Sequence, residues 1–440
     1  MSDDKRETLG LSAAWAMAVG GMIGGGIFSV LGVVIEQAGR LAWLSFLIGG
    51  AIALATGWSY SRLTVRGGRS GGVYHFLRQS KQHGAAAAVA WVLIVGYILT
   101  VSVYAHTFGA YVAHSFGASS FASHILAIAI IAVITGVVLL GVGESALTEK
   151  ILVFGKLLVL GALAVAGLWH WQPDQLSPAG EHVTVGGAIV GAALVFMAYE
   201  GFQLLAYDYE VMAKARRNLP LSMMTAIAAV IVIYIAVSLG AAMLVGADRI
   251  VADKEVALAA AGSAAFGKPG LIVVTIAAAF STGSAILATV FGTSRLAQRV
   301  EGEGDLPDLF GRTNSEGVPF AATLLISGGA MALTLIGSLG QLVEAASLVF
   351  LLTFATVNFI GWRRQAVHPA IGVGGFAGAI VASLLLARRL FEQNLVELVA
   401  IVAALALAIG YGLWRERRLA ASQDEATRRT EADERGSGQR

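Results

Sequence analysis

Apolar residues run along this chain in blocks of about twenty, separated by short stretches where charged residues, prolines and glycines collect. Such blocks are long enough, at about 1.5 Å per residue, to cross a hydrocarbon layer of about 30 Å as helices. The pattern predicts twelve spans, at 11–35, 41–63, 85–114, 121–142, 151–170, 184–210, 220–246, 270–298, 319–340, 342–362, 370–387 and 394–414. All seven prolines then fall in loops or at span ends, where a missing backbone N–H costs least. The expected fold class is an all-α polytopic membrane protein with polar tails at 1–10 and 415–440. The second tail is almost free of large apolar residues, and is expected to be disordered. The polar start MSDDKRETLG has no short apolar stretch ahead of a cleavage site, so the first span is expected to be retained.

Two spans are interrupted by residues that do not suit a helix interior. The first carries AVGGMIGGGIFSV at 18–30, with five glycines between Gly20 and Gly26, and the sixth carries LVFMAYEGFQLLAY at 194–207, with Glu200 and Gly201 inside an apolar run. A phosphate-cradling loop does not fit the first, since no Lys-Ser or Lys-Thr follows the glycines. Two readings remain open. Gly20/Gly24 and Gly21/Gly25 have the small-xxx-small spacing of closely packed helices. Alternatively the glycines, each costing about 1 kcal/mol in a helix relative to alanine, unwind the span and expose N–H and C=O groups. At membrane depth such groups are tolerated only around a cavity or ligand, and a half-helix starting after the break would point its N–H groups at an anion such as a carboxylate. Breaks in the first and sixth spans hold matching places in two halves of five spans, as in inverted-repeat transporters.

Composition and charge narrow the class. Residues are 57% hydrophobic and 13% charged, against about 25% charged in soluble domains. The net charge of +2 gives no patch for nucleic acid. Of the 30 Lys and Arg residues, 23 lie on the side of the termini and six on the other, which predicts both termini in the cytoplasm. The remaining one is Lys156, inside the fifth span. The absence of cysteine excludes disulfides and thiolate chemistry. The eight histidines form no ligand-spaced cluster, and His106 is expected to be an ordinary hydrogen-bonded helix residue. No metal, cofactor, paired aspartates or Ser-Lys constellation is indicated, so an enzyme is not expected.

Four blocks, GGMIGGGIF, GGRSGGVYHF (67–76), YEGFQLLAYDYEVMAKARRNLP and ATVFGTSRLAQRVEGEGDLP (288–307), resemble in order the signatures of the amino acid–polyamine–organocation transporters. The resemblance implies a LeuT-type fold: two inverted five-span repeats, about 11–170 and 184–362, with broken helices one and six, plus two peripheral helices at about 370–414. It implies alternating access in a plasma or inner membrane. By position, a substrate carboxylate would meet backbone N–H groups of Gly24, Gly25 and Gly26. An ammonium would meet carbonyls of Met22, Ile23, Met197 and Glu200, beside Gly201, and the side chains of Met197 and Tyr199 would shape the pocket. Where many members read Gly-Phe-Glu, this chain has Gly201-Phe202-Gln203, so that glutamate has no counterpart here. The usual Asn-Pro after span six is replaced by Met212-Ala213-Lys214.

Lys156 lies six residues beyond Lys150, about 9 Å along a helix. A cation at that depth costs at least about 2.5 kcal/mol, so it either faces a cavity or snorkels to the surface. Some proton-coupled members of the resembling family carry a span-five lysine in place of a sodium ion between spans one and eight, and Lys156 matches it. Burial lowers an amine's proton affinity while carbonyls from a broken helix raise it, which suits a proton carrier. Ser281, Thr282 and Ser284 in span eight would supply nearby oxygens, or else ordinary interhelical hydrogen bonds. Glu200 is open to three roles: protonated and structural, pairing with a cationic group of the substrate, or carrying protons. The expected function is proton-coupled amino acid uptake. An exchanger without net proton movement and a non-transporting nutrient sensor are the alternatives.

Overall fold

The computed structural model describes residues 9–141, 146–178 and 184–437. Helices account for nearly all of them: α1 (Leu11–Ile23), α2 (Gly26–Ala38), α3 (Ala42–Gly67), α4 (Gly72–Gln79), α5 (His83–Ser115), α6 (Ser120–Leu139), α7 (Ala146–Trp169), α8 (Val185–Leu194), α9 (Ala215–Val245), α10 (Ala247–Ala252), α11 (Ala257–Gly302), α12 (Phe320–Ile336), α13 (Leu339–Arg363), α14 (Pro369–Gln393) and α15 (Leu395–Ser437). Among the described residues, nine helical segments are long and apolar enough to cross a membrane, and Leu11–Ile23, Val185–Tyr199 and Phe320–Ile336 are shorter apolar pieces. The chain is thus a polytopic, all-helical membrane protein. Backbone polar groups close their hydrogen bonds within each helix, which a hydrocarbon environment demands.

Two expectations change. Pro220 lies inside α9, where only its own N–H is forfeited near the helix start. Pro269, by contrast, stays at a span end: α11 is two helices broken at Gly267, at φ 65°, with Gly262 of the first packed on Gly270 of the second. The eighth span's helix follows that break, where the sequence places its start at 270. Helical backbone also continues from α15 through 415–437 to Ser437, where disorder is expected. That segment is rich in Ala, Glu and Arg, good helix formers that propagate a helix already nucleated by an apolar span.

The two ends of the bundle differ in chemistry. At the basic end, α4 is tied to the C-terminus of α11: Arg78 Nε lies 2.6 Å from Glu303 Oε2, Arg78 Nη1 pairs with Asp305 Oδ2, and Tyr74 donates to Asp305 at 2.8 Å. Asp305 is fully buried. Arg78→Ala leaves that carboxylate without its cation and is expected to cost about 2 kcal/mol, read as earlier thermal unfolding of the purified protein. At the opposite end, the segment around α10 covers α2, and Lys254 Nζ meets Glu36 at 3.1 Å.

Candidate functional site

The first break forms where the glycines predict it. α1 ends at Ile23, Gly24 takes φ −2° and ψ −113°, and α2 starts at Gly26. Gly24 N–H still donates to Gly20 O at 2.8 Å. The N–H groups that open α2 have no carbonyl one turn back, because the backbone turns at Gly24. The second break follows α8, which tightens into a 3₁₀ turn at Val195–Tyr199. Glu200 is extended (φ −65°, ψ 145°), Gly201 sits at φ 125°, and 3₁₀ geometry resumes at Phe202–Tyr207. The φ of Gly201 is one that side-chain-bearing residues rarely adopt.

The breaks touch each other. A Cβ on Gly201 would lie 2.7 Å from Met22 N and 2.8 Å from Gly21 Cα, so two backbones meet where only glycine fits. Tyr234 of α9 bridges them, its hydroxyl lying 2.7 Å from Met22 O and 2.9 Å from Ala198 O. Gly25 lies under the ring of Tyr104 on α5, and the buried Tyr104 hydroxyl has no hydrogen-bond partner among the described residues. Ser29 holds the start of α2, donating to Gly25 O at 2.6 Å.

α7 brings Lys156 to the same place. Val153, Lys156, Leu160 and Leu163 form a stripe at 0–3% exposure, while Ile151, Phe154, Leu158 and Val165 on the other face are 57–74% exposed. Lys156 thus points inward instead of snorkelling. Its Nζ donates to Gly20 O at 3.1 Å. From α11, Ser281 donates to Gly24 O. An amine and a hydroxyl therefore serve carbonyls on either side of the turn that ends α1.

The other expected residues divide. Thr282 and Ser284 donate to carbonyls of their own helix, so of the three only Ser281 reaches the break by a hydrogen bond. Met197 N donates to Ser347 Oγ at 3.1 Å. Tyr199 turns towards α3, donating to Phe46 O at 2.7 Å and packing on Gly49 and Gly50. Glu200, 2% exposed, accepts from Gln203 Nε2 at 2.7 Å, and Gln203 Oε1 accepts from Gly201 N at 2.9 Å. Ile23 is fully buried at the end of α1. His106 faces Glu255 at 3.4 Å and packs edge-on against His124.

Sequence reasoning overlooked Tyr104, Tyr234 and Glu149. The tyrosines give no local signal, being single aromatic residues in apolar spans. Glu149 does: it precedes Lys156 by seven residues, two helical turns, so both share a face of α7. Its carboxylate lies against Gly20.

A cavity of about 350 Å³ lined by Met17, Leu204, Tyr207, Asp208, Arg295 and Arg299 lies towards the basic end. A pocket of about 50 Å³, bounded by Gly20, Gly21, Gly201, Glu149 and Ser284, shares Met17, Leu204 and Ala288 with it. The breaks are approached from that end.

Residues 9–410 match the family model described as amino acid permease. The chain is 27% identical over 412 residues to the inner membrane transport protein YbaT of Escherichia coli (strain K12), covering 91% of this chain and 94% of that protein. It is 26% identical to the methylthioribose transporter of Bacillus subtilis (strain 168), over 81% of this chain and 80% of that one. Against cationic amino acid transporter 3, mitochondrial, of Arabidopsis thaliana it is 27% identical, over 78% and 59% of the two chains.

Proposed function

Because the chain belongs to the amino acid permease family, within the amino acid–polyamine–organocation superfamily, and is a membrane transporter by that kinship, we propose that it takes up an amino acid together with a proton. On this reading the nine long segments and three shorter apolar helices are twelve spans of a LeuT-type fold. α1–α2 and α8 with its following turns are broken spans one and six, α14 and α15 are peripheral, and both termini are cytoplasmic. The contact of Gly21 with Gly201 supports pairing the two breaks across an inverted repeat. The cavity at the basic end supports a conformation open towards the cytoplasm.

The observation that carries the proposal is Lys156 Nζ on Gly20 O, with Ser281 on Gly24 O. An ammonium occupies the carbonyl environment that would hold a free cation, and its charge changes with one proton. When the amine is protonated, α7 is tied to α1. Loss of the proton to the cytoplasm weakens that tie and frees α1 to move, which gates release of the guest. The carboxylate of the guest is received by the N–H groups of Gly24, Gly25 and Gly26. Its ammonium competes for Met22 O and for carbonyls of the second break. The relatives are named for different cargoes, so the side chain accepted depends on this chain's pocket and not on family membership.

Uptake by the purified protein in liposomes tests the reading. Labelled amino acids are offered with an imposed proton gradient, a sodium gradient or unlabelled amino acid inside. Proton-driven accumulation is expected. Accumulation that follows sodium alone overturns the lysine role, uptake that needs internal amino acid alone makes the protein an exchanger, and no transport over a broad panel points to a sensor. Tyr104→Phe removes the buried hydroxyl of a ring that packs on Gly25, without leaving a partner unpaired. It is expected to weaken apparent substrate affinity about tenfold, the loss of one hydrogen bond to a charged group, with thermal stability retained.

A further inference from the structure

Away from the breaks, two cavities run into each other on the outer face of the bundle. One, of about 840 Å³, is an apolar groove between α3, α8, α9 and α14, floored by Ala55, Ile189, Met224, Gly374 and Gly378. The other, of about 820 Å³, lies at the basic end and is lined by Trp58, Arg62, Trp362, Arg363 and His368. Trp58 and Ile371 belong to both. The whole is therefore one amphipathic slot, greasy along the spans and cationic where they end.

The cationic part is organised and uncompensated. The Arg62 guanidinium lies 5.6 Å from the ring centre of Trp58, which holds it at the mouth of the groove. Among the described residues neither Arg62 nor Arg363 forms an ion pair. Two tryptophans flank them, the residue type that settles at the level of lipid headgroups. Neighbouring Arg364 is engaged with Phe76 O and Ser80 Oγ, and Arg66 with Arg364 O, so those two secure the loop while Arg62 and Arg363 face outward. A free anion would have no use for the groove, and a neutral lipid none for two unpaired guanidinium groups.

From this continuity of cationic pocket and apolar groove we infer that the slot binds one anionic phospholipid. Its phosphate sits between Arg62 and Arg363, and an acyl chain lies along α14 over Gly374 and Gly378. Charge attraction supplies selectivity for the headgroup. The groove supplies the acyl-chain contact through apolar walls of small residues. The bound lipid touches α3 and α8, which pack beside the second break, so it would bridge a peripheral helix to elements of the transport core.

The test uses the full chain, purified and delipidated in detergent, titrated with phosphatidylglycerol, phosphatidylcholine, glycerol 3-phosphate or inorganic phosphate while thermal unfolding is followed. Phosphatidylglycerol is expected to half-saturate at a concentration about tenfold below phosphatidylcholine, a gap that shrinks in high salt. Arg62→Gln with Arg363→Gln should close that gap. Gly374→Leu should weaken both lipids about tenfold, because a Cβ there meets nothing within 4 Å and the larger side chain fills the groove without a clash. Equal saturation by the two lipids in the native chain overturns the inference. So does a full response to glycerol 3-phosphate or inorganic phosphate, which would make the pocket a free-anion site, or unchanged phosphatidylglycerol binding in Gly374→Leu.

Discussion

Gly201→Ala is expected to destabilise the purified protein by about 3 kcal/mol and to abolish uptake. Two costs combine. Alanine at φ 125° pays about 1–2 kcal/mol for a left-handed backbone. Its methyl group would also stand 2.7 Å from Met22 N and 2.8 Å from Gly21 Cα, and overpacking of that kind costs about 1–3 kcal/mol. Because the neighbours are backbone atoms, no side-chain rotation relieves the contact. The two breaks have to move apart, which displaces the N–H groups at Gly25 and Gly26 proposed to receive a substrate carboxylate. Gly283→Ala, where a Cβ meets open space, serves as the control and should leave unfolding temperature and uptake unchanged. Unfolding of Gly201→Ala at the native temperature would show that the breaks do not interlock as described.

Lys156→Met is expected to lower proton-driven accumulation about a hundredfold, since a charge-assisted hydrogen bond of up to about 3 kcal/mol is lost from one state of the cycle. Methionine retains the length of the stem and the packing on α1, so the protein should still fold. Exchange of labelled for unlabelled substrate without a gradient should persist within a few-fold, because it needs no net proton movement. Accumulation equal to that of the native chain removes Lys156 from coupling. If Glu200→Gln rather than Lys156→Met abolishes it, the proton is carried at the second break.

The legible parts of the structure are those dictated by local chemistry. Apolar block length located the helices, and the glycines at 20–26 and the Glu200-Gly201 pair marked both backbone breaks. Lys156 stood out because a cation is costly in an apolar span. What escaped depends on tertiary contact. Tyr234 and Tyr104 became notable only once α9 was seen to lay a hydroxyl, and α5 a ring, against the breaks. Tyr199, a pocket residue by the family resemblance, ends the 3₁₀ turn Val195–Tyr199 and donates its hydroxyl to Phe46 O of α3. A change from 3.6 to about 3 residues per turn redirects a side chain by tens of degrees over a few positions, and no residue type at 195–199 announces that change.

The hydroxyl of Tyr234 carries one hydrogen yet lies within bonding distance of two carbonyls, Met22 O on the first break and Ala198 O on the second. Rotation about its C–O bond can satisfy one of them fully or share between both, but never bond each at full strength. Parting the two breaks therefore forfeits less than one neutral hydrogen bond, under roughly 1 kcal/mol, because the hydroxyl keeps its hydrogen on one of the two carbonyls. The phenol is a weak tie: it holds the breaks in register yet adds little to the energy of separating them.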